Sequence, residues 1–154
     1  MSSLDKERIL SDIKDAMKSR DKGRLLTLRV LLSEIKYAEM NKSGDLVESD
    51  YISVVSRELK KRREAIPYYK EGGRQDLVDK EEAEAKILAA YLPEQLDEAE
   101  VDKIVESAIV DSGAAGIAEV GKVMGVLMPR IKGRADGGVV NKKVRAKLED
   151  MFGG

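Results

Sequence analysis

The chain has 154 residues and contains neither cysteine nor histidine, which excludes disulfides, thiolate or imidazole metal sites and cysteine or histidine catalysis. Its 42% hydrophobic content and formal net charge of −1 are typical of a folded chain rather than a disordered one. No apolar signal-like N-terminus and no apolar run of membrane-spanning length is present. We therefore expect a soluble cytoplasmic protein with no metal site, no cofactor and no membrane partner.

The apolar residues of the first half recur at three- and four-residue steps, which predicts four helices. Ser2 or Ser3 would cap the first helix. Pro67 should kink or end the third helix, because proline donates no backbone hydrogen bond, although the helical pattern could resume through Tyr69. In the fourth helix the inward residues are predicted to be Leu77, Ala83, Ile87, Leu88 and Tyr91. The acidic side chains of residues 81–84 are interpreted as a solvated helix face.

The second half continues the helical pattern after a proline boundary. Pro93 cannot continue the preceding helix, and Asp97 with Glu100 resembles a capping box that starts the next one. No segment alternates apolar and polar residues as a half-buried strand would. The predicted fold is all-α, with an N-terminal helical hairpin region at residues 1–92 and a small C-terminal helical bundle at residues 93–154.

Charge is segregated along the chain. Residues 122–147 contain eight Lys or Arg and one acid, for a net of +7, and residues 57–74 have a net of +4. Residues 75–111 have a net of −9. This pattern favours an anionic partner, of which nucleic acid is the commonest, with the acidic surface held away from it.

A glycine-rich basic loop in the last third is the first candidate site. Glycines allow the backbone to approach a phosphate, and the amides that open the following helix attract anions. Asp136 as helix cap would compete for those amides, and a plain connection with solvated charges is the alternative. The predicted phosphate-binding residues are Lys122, Lys132, Gly133, Arg134, Gly137, Gly138, Lys142 and Lys143.

A second basic patch is predicted on the third helix and just beyond it. It comprises Arg57, Lys60, Lys61 and Arg74. The run at residues 60–63 covers most of a helix circumference, so its members cannot all face one ligand. A solvated face, with the Arg62 stem lying over apolar surface, is the alternative. We predict no catalytic residues, since no credible nucleophile and base occur together.

The chain resembles the GatB/YqeY family over nearly its whole length. The resemblance depends on the order of several short motifs. These are SRELKKR at residues 56–62, GRQDL at 73–77, YLPEQL at 91–96, GKVMG at 121–125, MP at 128–129, KGRADG at 132–137 and VN at 140–141.

The resemblance implies an all-helical protein whose C-terminal module is similar to the tail of the B subunit of tRNA-dependent amidotransferases. In that context the tail helps to hold tRNA, so we expect a tRNA-binding or structured-RNA-binding accessory protein. One alternative is an amidotransferase-like carbon–nitrogen ligase component, with glutamine as amide donor, that acts only with other subunits. Another is a protein-interaction adaptor. Amidotransferase or aminoacyl-tRNA synthetase components are possible partners.

Overall fold

The computed structural model describes residues 4–153, and these residues form α-helices joined by short turns without any strand. The expectation of an all-α protein is confirmed. The chain divides into two compact units, Met1–Pro93 and Glu94–Gly154. Each unit has its own apolar core.

The first unit consists of two helical hairpins. Its helices are α1 (Lys6–Lys18), α2 (Lys22–Asn41), α3 (Glu48–Glu71) and α4 (Gln75–Ala89). Helix α1 packs against α2 and α3 against α4, while α2 also contacts α3 and α4. Ser2 and Ser3 lie outside the described residues, and the carboxylate of Asp5 caps α1 by accepting the Arg8 amide at 2.9 Å.

Helix α3 does not end at Pro67 but continues to Glu71. Proline removes one backbone donor, and here that loss falls in the last two turns of the helix. The final turn is closed beyond it, where the Gly72 and Arg74 amides donate to the carbonyls of Tyr68 and Tyr69 at 3.0 and 2.9 Å. A single missing hydrogen bond is therefore tolerated within a long packed helix.

The predicted inward face of helix α4 is correct at Leu88 and Ile87 and at Tyr91 just after the helix, and it is wrong at Ala83. Val78 and Leu88 are buried, whereas Ala83 is exposed and Leu77 is only partly buried. The prediction placed Ala83 inward because alanine fits an apolar pattern. The pattern failed at this position because two glutamates that pair with an arginine of α3 share the inward face with Val78 and Leu88.

The second unit is a three-helix bundle made of α5 (Glu98–Ser112), α6 (Val120–Ile131) and α7 (Gly137–Phe152). A 3₁₀ turn, Ile117–Glu119, precedes α6. All three helices contact one another. The fully buried side chains at their centre are Ala108, Val123, Leu127, Ile131, Val144 and Leu148. The α6–α7 loop joins two of these helices at one end of the bundle and lies outside the core.

Candidate functional site

The loop between α6 and α7 turns through one left-handed glycine. Gly133 has a φ of 75°, a conformation that residues with a Cβ atom rarely adopt. The Asp136 carboxylate caps α7 by accepting the amides of Gly138 and Val139 at 2.7 and 3.4 Å. These two amides are therefore already satisfied within the protein, so a phosphate at this helix end would have to displace the Asp136 carboxylate.

Three hydrogen bonds join the same loop to the segment that precedes α5. The Gln95 amide group donates to the Gly133 carbonyl at 2.6 Å, and the Leu96 amide donates to the Arg134 carbonyl at 2.9 Å. Arg134 returns a hydrogen bond from Nε to the Glu94 carbonyl at 3.2 Å. These bonds fix the loop backbone. Sequence reasoning missed the role of Gln95, because its partner lies 38 residues away and no local pattern signals it.

Two of the predicted phosphate-binding lysines have carboxylate partners. Lys122 Nζ lies 3.5 Å from Glu119, and Lys143 Nζ lies 3.0 Å from Asp102 and 3.2 Å from Glu98. Hydrogen bonds to Asp102 and then Glu98 raise the pKa of the Lys143 ammonium. Both lysines are thus partly neutralised by the protein itself.

Lys132 and Lys142 differ from those two lysines. Both are exposed, and no carboxylate within residues 4–153 pairs with either. Arg134 also lacks an acidic partner in this range, and its terminal nitrogens are not used by the bond to Glu94. Lys122 lies at the opposite end of α6 from Lys132, about 15 Å away along the helix axis. The predicted set therefore does not form one surface.

The acidic helix α5 lies against the basic residues of α6 and α7. Arg130 pairs with Asp111 at 2.7 Å and Lys147 with Glu106 at 3.3 Å, in addition to the pairs of Lys143. Residues 94–154 contain nine Lys or Arg and eleven Asp or Glu, a formal net charge of −2. The acidic surface is not held away from the basic one as expected, because the bundle brings the two together.

The second basic patch is largely paired as well. Lys61 lies 3.0 Å from Glu58, Lys60 lies 3.9 Å from Glu64, and Arg74 bonds Asp76 through Nε and Nη2 at 3.1 and 3.0 Å. The hydrogen bond from Arg74 lowers the pKa of Asp76. In the described range Arg57 has no ion pair, and it is exposed.

The neighbouring Arg62 forms a buried ionic cluster between α3 and α4. Its side chain lies 2.9 Å from Glu84, 3.6 Å from Glu81 and 3.8 Å from Glu58, and Glu58 is only 2% exposed. The interpretations of Arg62 as a stem over apolar surface and of Glu81 and Glu84 as a solvated face are wrong. The i, i+4 spacing of Glu58 and Arg62 was the available signal, but it could not identify partners on α4.

A groove between α1, α2 and α4 contains the other notable polar group. The Tyr91 hydroxyl donates to Asp12, and the Arg8 guanidinium lies 5.0 Å from the centre of the Tyr91 ring. Burial and the bond to Asp12 raise the pKa of the Tyr91 phenol. Arg24 also approaches Asp12 at 3.8 Å. The polar groups of the groove are thus partnered with one another, and we interpret them as stabilising the first unit rather than as binding a ligand.

None of the helices within residues 4–153 is long and apolar enough to cross a membrane. In the same part of the chain, no three Asp or Glu side chains are grouped so that they could hold a metal ion.

The family of the chain follows from comparison with known proteins. The model of the YqeY-like protein family matches residues 6–148. The chain therefore belongs to the YqeY-like family, as its motifs indicated. It is 34% identical over 141 residues to "Altered inheritance of mitochondria protein 41, mitochondrial" of Pyrenophora tritici-repentis, an alignment that covers 90% of this chain and 77% of the relative.

A second relative with the same name comes from Lachancea thermotolerans. It is 35% identical over 103 residues, which cover 65% of this chain and 55% of the relative. The chain thus spans only about half the length of some curated relatives. Both relatives are named as mitochondrial proteins, so the expectation of a cytoplasmic protein is contradicted.

Proposed function

We propose that the chain binds structured RNA, with tRNA as the first candidate, through the α6–α7 loop. The single observation that supports this proposal is that Lys132 and Arg134, on a loop whose backbone is fixed, and Lys142, near the start of α7, have no acidic partner within residues 4–153. The other basic residues predicted in this unit, Lys122 and Lys143, are paired with carboxylates. Unpaired cations on a rigid loop suit phosphate contacts, which position RNA without reading its bases.

The binding should be weaker and less salt-dependent than the full basic content of residues 122–147 suggests. Three unpaired cations imply about three phosphate contacts, and hence a slope of about −2 to −3 for log affinity against log salt. The formal charge of −2 on the second unit adds a repulsive background. Because the relatives are named as mitochondrial proteins, mitochondrial tRNA should be tried beside total tRNA.

Two double variants of equal charge test the proposal. Lys132→Ala with Lys142→Ala removes unpaired cations, whereas Lys122→Ala with Lys143→Ala removes the same charge from paired lysines. We expect the first variant to weaken tRNA binding about tenfold at low salt and to flatten the salt slope by about one to two. The second should change affinity by less than about threefold, since the charges of Lys122 and Lys143 are already partly neutralised by carboxylates.

The measurement is fluorescence anisotropy of labelled tRNA at several salt concentrations, with circular dichroism to establish that helicity is retained. Equal effects of the two variants would assign any binding to overall charge rather than to this loop. If the wild-type chain leaves tRNA unbound at about 50 mM salt, the proposed function is wrong.

A further inference from the structure

Helix α2 presents a row of exposed apolar side chains to solvent. Leu26 is 52% exposed, Tyr37 is 62% exposed and Met40 is 80% exposed, with Val30 between them at 37%. Singly exposed apolar residues are ordinary, but several aligned on one helix indicate an interaction surface. We call Leu26, Val30, Ser33, Tyr37 and Met40 the α2 seam.

The α2 seam has the spacing of a coiled-coil interface. Its five members follow one another at alternating steps of four and three residues. At 100° per residue they fall within an arc of about 80°, which matches the narrow a/d stripe of a paired helix. The opposite side of α2 carries the buried Leu28, Leu31 and Ile35, which belong to the core of the first unit. Helix α2 is therefore packed on one side and available on the other.

A row of bases borders one edge of the α2 seam. Lys22, Arg29 and Lys36 are exposed and recur at seven-residue intervals. No carboxylate in the described part of the chain pairs with any of them, and the Arg29 guanidinium lies 3.9 Å from the sulfur of Met17. If Val30 and Tyr37 are taken as a positions of a heptad, the three bases occupy its g positions. In a coiled coil, side chains at g positions pair with charged residues of the partner helix.

We propose that the α2 seam binds an amphipathic helix of a partner protein whose apolar stripe is flanked by acidic residues. Such a helix covers the apolar side chains, and in one register its acidic residues form ion pairs with Lys22, Arg29 and Lys36. Charge complementarity along the edge then sets the partner and its orientation. This surface is in the first unit and does not depend on RNA binding by the second.

A second copy of the chain fits less well. In an antiparallel pair the basic rows would face each other. In a parallel pair Arg29 would face Glu34 of the other copy, but Lys22 and Lys36 would face the uncharged Thr27 and Asn41. A lipid surface requires a wider apolar face than this stripe, which has a serine at its centre.

Designed peptides of about three heptads test the proposal, with leucine at every a and d position. One peptide carries glutamate at the flanking e and g positions, and its matched control carries lysine there. Measured by fluorescence anisotropy at low salt, the glutamate peptide should bind the full chain about tenfold more tightly. Tyr37→Ser with Met40→Ser should abolish binding of both peptides.

Charge reversal gives the decisive comparison. Lys22→Glu, Arg29→Glu and Lys36→Glu together should reverse the preference between the peptides. A control with Arg63→Glu, Lys70→Glu and Lys80→Glu makes the same charge change at exposed positions of the same unit and should keep the preference. Equal affinity for the two peptides overturns the proposal.

Three other results would also overturn it, each by identifying a different occupant. A dimer in sedimentation that the Tyr37/Met40 variant dissociates means that a second copy occupies the α2 seam. Binding to phosphatidylserine vesicles that the same variant abolishes means a lipid surface. Loss of tRNA affinity on reversal of Lys22, Arg29 and Lys36, with no peptide preference in the wild type, means RNA.

Discussion

The two units use the same pairing of an acidic helix with a basic one but place the charges differently. In the first unit, Arg62 of α3 meets Glu81 and Glu84 of α4 in a layer where their side chains are 12–19% exposed. In the second unit, Lys143 of α7 meets Glu98 and Asp102 of α5, whose side chains are 83% and 55% exposed. The first arrangement is largely buried between two helices, whereas the second lies at the exposed rim of its bundle.

The difference shows that acidic and basic segments of a sequence can form ion pairs either at a solvated rim or inside a helix–helix contact. Ion pairs at a solvated rim contribute little to stability and can be altered at small cost. An arginine held among carboxylates inside a helix–helix contact cannot be removed without leaving those carboxylates unpaired.

The largest expected effect tests whether the units unfold separately. Leu127→Ala leaves a cavity in the core of the second unit, where Leu127 is fully buried, and should cost about 3 to 4 kcal/mol. A unit this small has little stability to lose, so it should unfold. All five tyrosines lie in the first unit, so tyrosine fluorescence in urea should keep its midpoint while far-UV circular dichroism loses helical signal.

The matched control for this variant is Met128→Ala, which alters the neighbouring, 41% exposed side chain and should change stability by less than about 1 kcal/mol. A shift of the tyrosine midpoint with Leu127→Ala would mean that the units are thermodynamically coupled.

The next effect sharpens the comparison of the two ion-pair arrangements. Arg62→Met keeps the apolar stem but removes the charge from the cluster of Glu58, Glu81 and Glu84. We expect a loss of about 2 to 3 kcal/mol, reduced from the fully buried case because Arg62 retains some solvent contact. The midpoint of the tyrosine-detected urea transition measures it.

Lys143→Met is the same kind of change at the rim, and it should leave the midpoint detected by circular dichroism unchanged within error. If the Lys143 variant is the more destabilised of the two, the contrast between buried and rim pairs is incorrect.

The smallest effect concerns the phenol of Tyr91. Tyr91→Phe removes its hydrogen bond to Asp12 and should cost about 1 kcal/mol near pH 8. Because the pKa of Tyr91 is raised on folding, the folded state keeps the proton when the unfolded phenol ionises near pH 10. The contribution of the Tyr91 phenol to the free energy of unfolding is therefore fully present below about pH 10 and falls as the pH rises further.

Thermal unfolding of both proteins between pH 8 and 11 measures that difference, and the two curves should converge above about pH 10. Tyr68→Phe, at a 76% exposed position, is the control and should follow the wild type throughout. A gap between Tyr91→Phe and wild type that widens with pH would show that the phenol ionises more readily in the folded state.

Much of the fold follows from local patterns in the sequence. Helical periodicity predicted the all-α class, and the Asp97 cap could be recognised in the sequence because a cap and the amides that donate to it lie within a few residues of each other. The inward face of α4 was predicted correctly at Leu88 but wrongly at Ala83, because the burial of Glu81 and Glu84 depends on an arginine of another helix. The sequence located a candidate basic loop, but it did not show which of its Lys and Arg side chains have carboxylate partners.

The sequence by itself determined that this chain is helical and belongs to the YqeY-like family, because periodicity, caps and ordered motifs are short-range properties of the chain. Only the tertiary structure decided which charges remain unpaired. Lys143 meets Asp102 across 41 residues, and Gln95 holds the Gly133 carbonyl across 38 residues. Such contacts arise from the way helices pack, and packing brings together residues whose separation along the chain carries no signal of their proximity.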